Sequence, residues 1–264
     1  MVVPIYQVDA FASKLFEGNP AAVVCLKEFP SDAVMQQIAA ENNLAETAFL
    51  VSYHHDYRLR WFTPKVEVPL CGHATLASAA VVMERLEPGR NHVVFHTRSG
   101  ELKVSRADKG YVMDFPARES ESVIPPEGLS TALGTVPVEV YSNVFNYMVV
   151  VDSPRTVRGL TPDPSLIAQL DRPGVIVTSP GDGEYDFISR YFAPAKGIPE
   201  DPVTGAAHCM LVPYWAKRLK KSEFNAYQVS PRGGRVRCRG IGGRVELQGE
   251  CAFYLEGSIH IPKL

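Results

Sequence analysis

Three side chains in this sequence have the chemistry to move a proton: Glu46, His73 and Asp201. Glu46 stands at the mouth of an apolar run, where an acid suits general acid–base work near neutral pH. His73 follows a glycine at the start of a predicted helix. The positive end of that helix should lower its pKa and keep it neutral, able to relay or donate a proton. Asp201 has the matching place in a second, similar stretch. Taken singly, the three would also fit a surface glutamate, a structural histidine and a helix N-cap.

Two glycine turns could bind the anionic group of a substrate. Gly72 and Gly205 each stand just before a predicted helix, whose first N–H groups have no partner within the helix. These donors and the positive end of the helix dipole favour a carboxylate or a developing enolate. We therefore expect a small anionic substrate, although each glycine alone could merely permit tight helix packing.

Both turns belong to a motif that the chain contains twice. The first copy reads RWFTP at 60–64, VP at 68–69 and CGHAT at 71–75; the second reads RYFAP at 190–194, IP at 198–199 and DPVTGAA at 201–207. Each copy predicts an aromatic strand that ends in proline, a short loop, and a glycine turn before a helix. The copies lie about half a chain apart, much farther than the period of a solenoid. This spacing indicates two related domains that face each other across one cleft.

The predicted elements favour the same organisation. Many short strands and one long central helix in each half predict two α+β domains, each a curved mixed β-sheet or barrel around its helix. The polar, proline-bearing segment 116–127 is the best linker, which gives domains of 1–118 and 119–264, with the option that the last strand returns to the first domain. The sequence contains no strand–GxGxxG–helix unit, which disfavours a nucleotide-binding Rossmann domain.

Composition excludes several classes of function. The 264 residues carry 27 basic and 29 acidic side chains without a block of like charge, so we expect no nucleic-acid partner. No window approaches the ~18 apolar residues of a membrane span, and the N-terminus does not resemble a signal peptide. Five cysteines without a C-x-x-C argue against a disulfide framework or a structural zinc site. We expect a cytoplasmic protein that uses no metal.

Four segments, in order, resemble the PhzF, or phenazine-biosynthesis-like, family of the diaminopimelate-epimerase fold. They are DAF at 9–11 with GNPAAV at 18–23, NLAETAF at 43–49, CGHATLA at 71–77, and EDPVTG at 200–205. Together they cover nearly the whole chain and are highly specific. The chain resembles in particular the branch that includes the animal phenazine-biosynthesis-like domain proteins.

The resemblance implies two pseudo-symmetric domains with the active site between them, and isomerisation by proton transfer without a cofactor. The family's catalytic glutamate falls on Glu46, and its supporting histidine and aspartate fall on His73 and Asp201. The positions expected to bind the substrate are Asn19, Gly72, Ala74, Thr204, Gly205 and Ala206. Ala206 replaces the family's usual serine, which removes a hydroxyl near the substrate and leaves the phenazine-precursor substrate open. Family members are often dimers, so a homodimer is an option.

Cys71 leaves a second chemistry open. The related epimerases and proline racemases use two facing cysteines, and Cys71 stands where the first would be. The second copy offers Asp201 and Pro202 instead, and a two-thiol racemase needs both thiols, so racemisation of amino acids is disfavoured. Two alternatives to a glutamate-based isomerase stay open: an epimerase in which Cys71 works with a non-cysteine partner, and a catalytically silent binding protein on the same fold.

Overall fold

The computed structural model describes residues 1–262, and the chain divides into two compact units. The first unit contains Met1–Asp114 and the C-terminal stretch from Gln248 onward, and the second contains Phe115–Leu247. No helix within residues 1–262 is long and apolar enough to span a membrane.

Strands and helices are numbered here in chain order, and the first unit contains both ends of the chain. Its strands are β1 (Val2–Ala10), β2 (Asn19–Leu26), β3 (Glu46–Tyr53), β4 (Asp56–Phe62), β5 (Glu67–Val68), β6 (His92–Thr97), β7 (Gly100–Arg106), β8 (Tyr111–Pro116) and β18 (Cys251–His260). Its helices are α1 (Asp32–Asn42) and α2 (Gly72–Val81), which a π-helical segment at Val82–Leu86 continues. β8 runs two residues past the boundary of the unit.

Helices connect the parallel neighbours in this unit. β1 and β2 are antiparallel, β2 and β3 parallel, β3 and β4 antiparallel, β4 and β6 parallel, and β6 and β7 antiparallel. Parallel neighbours need a crossover connection. Accordingly, α1 joins β2 to β3, and α2 lies on the connection from β4 to β6. At the end of the chain, β18 pairs antiparallel with β1.

The second unit contains the remaining elements. Its strands are β9 (Glu121–Ser122), β10 (Glu139–Ser142), β11 (Asn146–Val150), β12 (Gly174–Pro180), β13 (Phe187–Ala193), β14 (Ile198–Asp201), β15 (Glu223–Gln228), β16 (Gly234–Ile241) and β17 (Arg244–Gly249). Its helices are α3 (Leu129–Leu133), α4 (Pro154–Gly159), α5 (Pro164–Ile167), a 3-10 turn at Pro194–Lys196, and α6 (Gly205–Leu219).

The second unit repeats the strand pairing of the first. β10 and β11 are antiparallel, β11 and β12 parallel, β12 and β13 antiparallel, β13 and β15 parallel, and β15 and β16 antiparallel. α4 and α5 lie on the crossover from β11 to β12, and α6 lies on the crossover from β13 to β15. The two copies of the sequence motif therefore stand at equivalent places in a repeated topology, each directly before the second crossover helix.

An arginine–glutamate pair holds each copy of the motif in the same hairpin. Arg60 of β4 donates from Nε and an Nη to the two carboxylate oxygens of Glu67, both at 2.8 Å. Arg190 of β13 makes the same bidentate contact with Glu200, at 2.7 and 2.8 Å. A planar guanidinium matches a carboxylate in this geometry. Each pair fixes the short return strand that leads into the glycine turn.

The central helices are buried over most of their length, α2 from His73 onward and α6 chiefly up to Trp215. In α2, all nine residues from His73 to Val81 are buried, and most of them are small. In α6, Trp215 stacks on Phe187 of β13 with ring centroids 5.7 Å apart. Each helix therefore begins at the glycine turn and continues directly into the core of its own unit.

The segment 116–127, which the sequence predicts as the linker, contains one short strand. Its residues Glu121–Ser122 form β9, which pairs antiparallel with β10. Charge and proline content predict exposure, and both residues are indeed exposed. Backbone pairing at the edge of a sheet needs no apolar side chain, so composition could not reveal this strand.

Candidate active site

Glu46 is held at the first position of β3 by the end of α1. Asn43 ends that helix in the left-handed conformation, at φ 49°, and its N–H donates to Ala39 O. Asn42 Nδ2 donates to Thr47 Oγ1 at 3.1 Å and so ties the last helical turn to the strand. Glu46 is only 7% exposed. The alternative of a surface glutamate is therefore wrong.

His73 and Cys71 are placed by the first turn of α2. Cys71 is the N-cap residue, in an extended conformation, and its side chain makes no capping hydrogen bond. Thr75 Oγ1 donates to Cys71 O at 2.6 Å, which fixes the turn from within. His73 is the second residue of the helix, where its ring is buried beside the N-terminus.

The imidazole of His73 contacts three other side chains of the first unit. Its Nε2 lies 3.1 Å from Glu46 Oε2. Its Nδ1 lies 3.1 Å from Asn19 Nδ2 and 3.5 Å from Cys71 Sγ. All four residues are buried. Three segments that are distant in the sequence therefore meet at the His73 ring.

The environment of His73 raises its pKa, whereas its position at the start of a helix predicts a lowered one. Burial alone would lower its pKa, but the charges of Cys71 and Glu46 and their hydrogen bonds outweigh burial and raise that pKa well above its usual value. The expectation of a lowered pKa is therefore wrong. A contact at 3.1 Å dominates over the more diffuse field of a helix end.

Cys71 is a neutral thiol near pH 7. Burial raises its pKa to about 11, and the Glu46 charge adds to that effect, whereas His73 opposes it. Because a neutral thiol carries no charge, the contact with Glu46 at 3.1 Å is the one that accounts for the raised pKa of His73 near pH 7. Asn19 can serve both states of the ring, because its amide can present nitrogen to a bare Nδ1 or oxygen to a protonated one.

The same residues offer ligand atoms that could hold a metal. One ligand atom each from Glu46, Cys71 and His73 lies within 4.8 Å of the others, and zinc accepts such a mixed set. However, the carboxylate approaches Nε2 of the ring, whereas the thiol approaches Nδ1. One ion can take only one ring nitrogen. As arranged, the carboxylate and the thiol lie at opposite nitrogens of the imidazole rather than around a single ligand position.

A titration of His73 tests this assignment. We expect one histidine ring in the NMR spectrum to remain protonated well above pH 6.5, and its pKa to fall in Glu46→Gln, because the neutral amide removes the stabilising charge. Since the folded pKa is raised, the pair stabilises the fold fully below about pH 6.5 and progressively less as the pH rises through the raised value. A His73 ring that loses its proton at or below pH 6.5 in the wild type would contradict the assignment.

Asp201 lies at the end of β14 and contacts the N-cap residue of α6. That residue is Thr204, so the alternative of Asp201 as the N-cap is wrong. Thr204 Oγ1 donates to Asp201 Oδ2 in a short hydrogen bond. When the two motifs are aligned on their helix starts, Cys71 corresponds to Thr204 and His73 to Ala206. Asp201 stands three residues before the cap, so it does not have the place of His73.

Gln228 is a site residue that the sequence analysis missed. It is fully buried in β15, and its Oε1 accepts from Thr204 N at 2.9 Å. Its Nε2 donates to Asp201 O at 2.7 Å and to Thr204 Oγ1 at 3.2 Å. One amide therefore fixes both ends of the turn before α6. Alternation in β15 places Gln228 on the buried face with Phe224 and Ala226, and a polar residue on that face was the available signal.

The remaining predicted binding residues lie in the first turns of α2 and α6. Ala74 is fully buried. Gly205 is buried, and a Cβ added there would contact Leu247 Cδ1 at 3.4 Å. Gly72 and Ala206 are half-buried. These positions fit backbone recognition of a substrate, which stays a prediction.

His208 of α6 is buried and neutral. Its Nδ1 donates to Thr204 O at 2.8 Å, and burial lowers its pKa to about 4, with that hydrogen bond opposing the shift. Thr204 O is the N-cap carbonyl. In α2, the equivalent carbonyl of Cys71 accepts from Thr75, also four residues on. At both helix starts, therefore, the N-cap carbonyl accepts a hydrogen bond from a side chain four residues on, and only the donor residue differs.

Acid is expected to destabilise the fold through His208. An unfolded histidine takes up a proton below about pH 6.5, whereas the folded one does so only near pH 4, so stability is lost as the pH falls between these values. The full effect is about 3 kcal/mol. Urea unfolding at pH 7 and pH 4.5 should show this extra loss in the wild type but not in His208→Gln, whose amide can still donate to Thr204 O. Equal losses in both proteins would contradict the prediction.

Comparison with known proteins identifies the family. A family model described as phenazine biosynthesis-like protein matches residues 8–257, almost the whole chain. The chain belongs to the PhzF family. Among its relatives, an uncharacterized isomerase from Pseudomonas aeruginosa is 48% identical over 261 residues, which cover 99% of this chain and 100% of the relative. The human phenazine biosynthesis-like domain-containing protein is 39% identical over 289 residues, which cover 98% of this chain and 99% of the relative.

Solved structures confirm the predicted fold class. A PhzF family protein from Enterococcus faecalis superposes with a TM-score of 0.95 at 44% identity, covering 99% of this chain and 100% of that one. A hydroxyproline epimerase from Agrobacterium vitis, solved with bound trans-4-hydroxy-L-proline, superposes with a TM-score of 0.60 at 11% identity over 98% of this chain and 92% of that one. The latter shows the fold alone, an epimerase-like α+β architecture. PhzF relatives named as isomerases support an isomerase-like enzyme in general terms.

Proposed function

We propose that this PhzF-family chain is an isomerase that moves a proton on a small carboxylate-bearing metabolite by general acid–base catalysis, without a cofactor. The observation that carries the proposal is the buried contact of 3.1 Å between Glu46 and His73. A buried carboxylate in contact with an imidazole is placed to take up a proton from carbon and to return it.

Glu46 is the base and afterwards the acid. Its carboxylate removes a proton from a carbon activated by the substrate, and the C–H electron pair moves into an enolate-like system. The carboxylic acid then returns the proton to a carbon, at the same position or further along the conjugated system, so atoms and charge balance over the cycle. The His73 imidazolium holds Glu46 in place and offsets its charge. General acid–base catalysis of this kind contributes about 10²–10⁴-fold in rate.

The other residues orient the substrate and stabilise charge. Backbone N–H groups at the helix starts of Gly72 and Gly205 bind a carboxylate and the transient negative charge. Asp201, with Thr204 and Gln228 around it, orients the substrate or relays charge. Asn19 contacts the opposite ring nitrogen, Nδ1, and its amide can pair with that nitrogen whether or not it carries a proton. The residues Ala74 and Ala206 complete the proposed binding turns.

The pKa of Cys71 favours Glu46 over Cys71 as the base. A thiol must be ionised to remove a proton from carbon, and burial raises the pKa of Cys71 to about 11. Near pH 7 the thiolate fraction is therefore very small. Cys71 instead packs against His73 and limits the movement of its ring.

An exchange experiment in heavy water tests the proposed function. The protein, dialysed against EDTA, is incubated in D₂O with pools of small carboxylic acids, and mass spectrometry detects deuterium gained at carbon. We expect one or a few metabolites to gain a single deuterium, and heat-denatured protein to give none. If the folded protein labels no carboxylic acid in any pool, the proposal fails and the catalytically silent binding protein is favoured.

A further inference from the structure

A line of hydrogen-bonded polar side chains crosses the sheet of the second unit, at a position where the middle strand has a glycine. Tyr191 of β13 donates from its hydroxyl to Asn146 Oδ1 of β11 at 3.1 Å, and both residues are buried. β12 lies between these strands, with Gly174 in register with Asn146. A Cβ added to Gly174 would come within 2.3 Å of both bonded oxygens. The glycine therefore makes room for the hydrogen bond, which fixes the Tyr191 hydroxyl.

Lys196 continues this line of polar side chains to the surface. It ends the 3-10 turn Pro194–Lys196, and its Nζ lies 3.4 Å from the Tyr191 hydroxyl, to which it donates. The residue is exposed, yet its ammonium group rests against the buried phenol. Burial of that group, and then the charge of Arg118, lower the pKa of Lys196, while Asp201 opposes the shift. Burial therefore disfavours the charged form of this amine, and the nearby carboxylate does not fully offset that cost.

Arg118 is the second cation of this cluster. Its guanidinium stacks on the ring of Phe145, 4.6 Å from the centroid, and Phe145 is adjacent to Asn146. The backbone N–H of Arg118 donates to Cys209 O of α6, which anchors the residue beside that helix. Among residues 1–262, neither Arg118 nor Lys196 forms an ion pair with a carboxylate. Other lysines are also unpaired at the surface, but none of those within residues 1–262 contacts a buried phenol.

We infer that Lys196 and Arg118, with the Tyr191 hydroxyl, form a binding site of the second unit for a small carboxylate ligand. This inference goes beyond the proposed function, because it concerns residues of the second unit alone. The charges of Arg118 and Asp201 both act on Lys196, so two positive charges stand against one negative charge here. A planar guanidinium and an ammonium together match the geometry and charge of a carboxylate.

Protection from acylation tests the inference on the wild-type protein. Neutral lysine amines react with trace acetic anhydride, and peptide mass spectrometry gives the rate at each lysine. Malonate is the probe, at pH 8 and at an ionic strength held constant with sodium chloride. Malonate at four times its Kd should slow acylation of Lys196 about five-fold, because only a fifth of the sites stay free. Lys220, an exposed lysine of the same unit, is the matched control and should react unchanged.

Two variants decide the outcome. Arg118→Met should abolish the protection of Lys196 while leaving the fold intact, because the guanidinium makes no hydrogen bond within residues 1–262. Glu46→Gln should retain the protection. Equal acylation of Lys196 with and without malonate, or protection that survives Arg118→Met, would overturn the inference. So would inorganic phosphate that protects at a lower concentration than malonate, because the preferred anion would then not be a carboxylate.

The outcomes separate this inference from the proposed function. If malonate protects Lys196 but the protein labels no carbon in D₂O, the carboxylate site stands and the isomerase proposal fails. If carbon is labelled but malonate gives no protection, the isomerase proposal stands and the assignment of Lys196 and Arg118 fails.

Discussion

Replacement of Glu46 by glutamine is expected to lower the turnover number by about 10²- to 10⁴-fold, the contribution of a positioned general base. Glutamine has the shape of glutamate, and its amide oxygen can still accept from His73 Nε2. It cannot take up a proton from carbon. His73 then loses its stabilising charge and becomes neutral, so no buried cation is left unpaired and the fold should persist.

The measurement is the steady-state turnover of the metabolite found by deuterium exchange, with thermal unfolding of each variant as the check on folding. Glu41→Gln is the matched control, because Glu41 is an exposed glutamate on the neighbouring helix α1. It should keep wild-type turnover. Turnover of Glu46→Gln within about ten-fold of wild type would mean that another group supplies most of the base catalysis.

Replacement of Glu200 by glutamine is expected to destabilise the chain by about 3 kcal/mol, because it leaves a largely buried cation without its counter-charge. The side chains of Arg190 and Glu200 are only 11% and 18% exposed. Arg190 also donates to the carbonyls of Val157 and Leu160, so it cannot turn out into water without losing these bonds.

Urea unfolding measures this loss, and Glu119→Gln is the comparison. Glu119 pairs with Lys217 at 3.2 Å, but these side chains are 69% and 75% exposed. Exposed pairs contribute less than about 1 kcal/mol. If Glu200→Gln costs no more than Glu119→Gln, the bidentate pair does not fix the hairpin before α6.

The local patterns in the sequence were sufficient for the elements that carry the site. A glycine followed by small apolar residues predicts the start of α2, and the apolar run after Glu46 predicts β3. The repeated motif predicts equivalent hairpins, and the arginine–glutamate pairs confirm that both copies fold alike. These features depend on a few neighbouring residues, so the sequence alone determines them well.

The contacts between distant segments could not be read in this way. His73 meets Glu46 and Asn19 only because the chain folds back between them, and these contacts reverse the pKa shift that the helix end alone predicts. Gln228 acts on a turn that lies 24 residues earlier in the chain. The pairing of β18 with β1 joins the two ends of the chain, and no local pattern specifies its partner.

The proposed mechanism depends on proton transfer by Glu46. One exchange experiment distinguishes it from an epimerase that uses Cys71 and from a catalytically silent binding protein. Wild type, Glu46→Gln and Cys71→Ser are incubated in D₂O with the same carboxylic acid, and deuterium at carbon is followed over time. We predict that wild type and Cys71→Ser incorporate deuterium at similar rates and that Glu46→Gln incorporates essentially none. Labelling by Glu46→Gln at the wild-type rate, or loss of labelling in Cys71→Ser alone, would show that Glu46 is not the base.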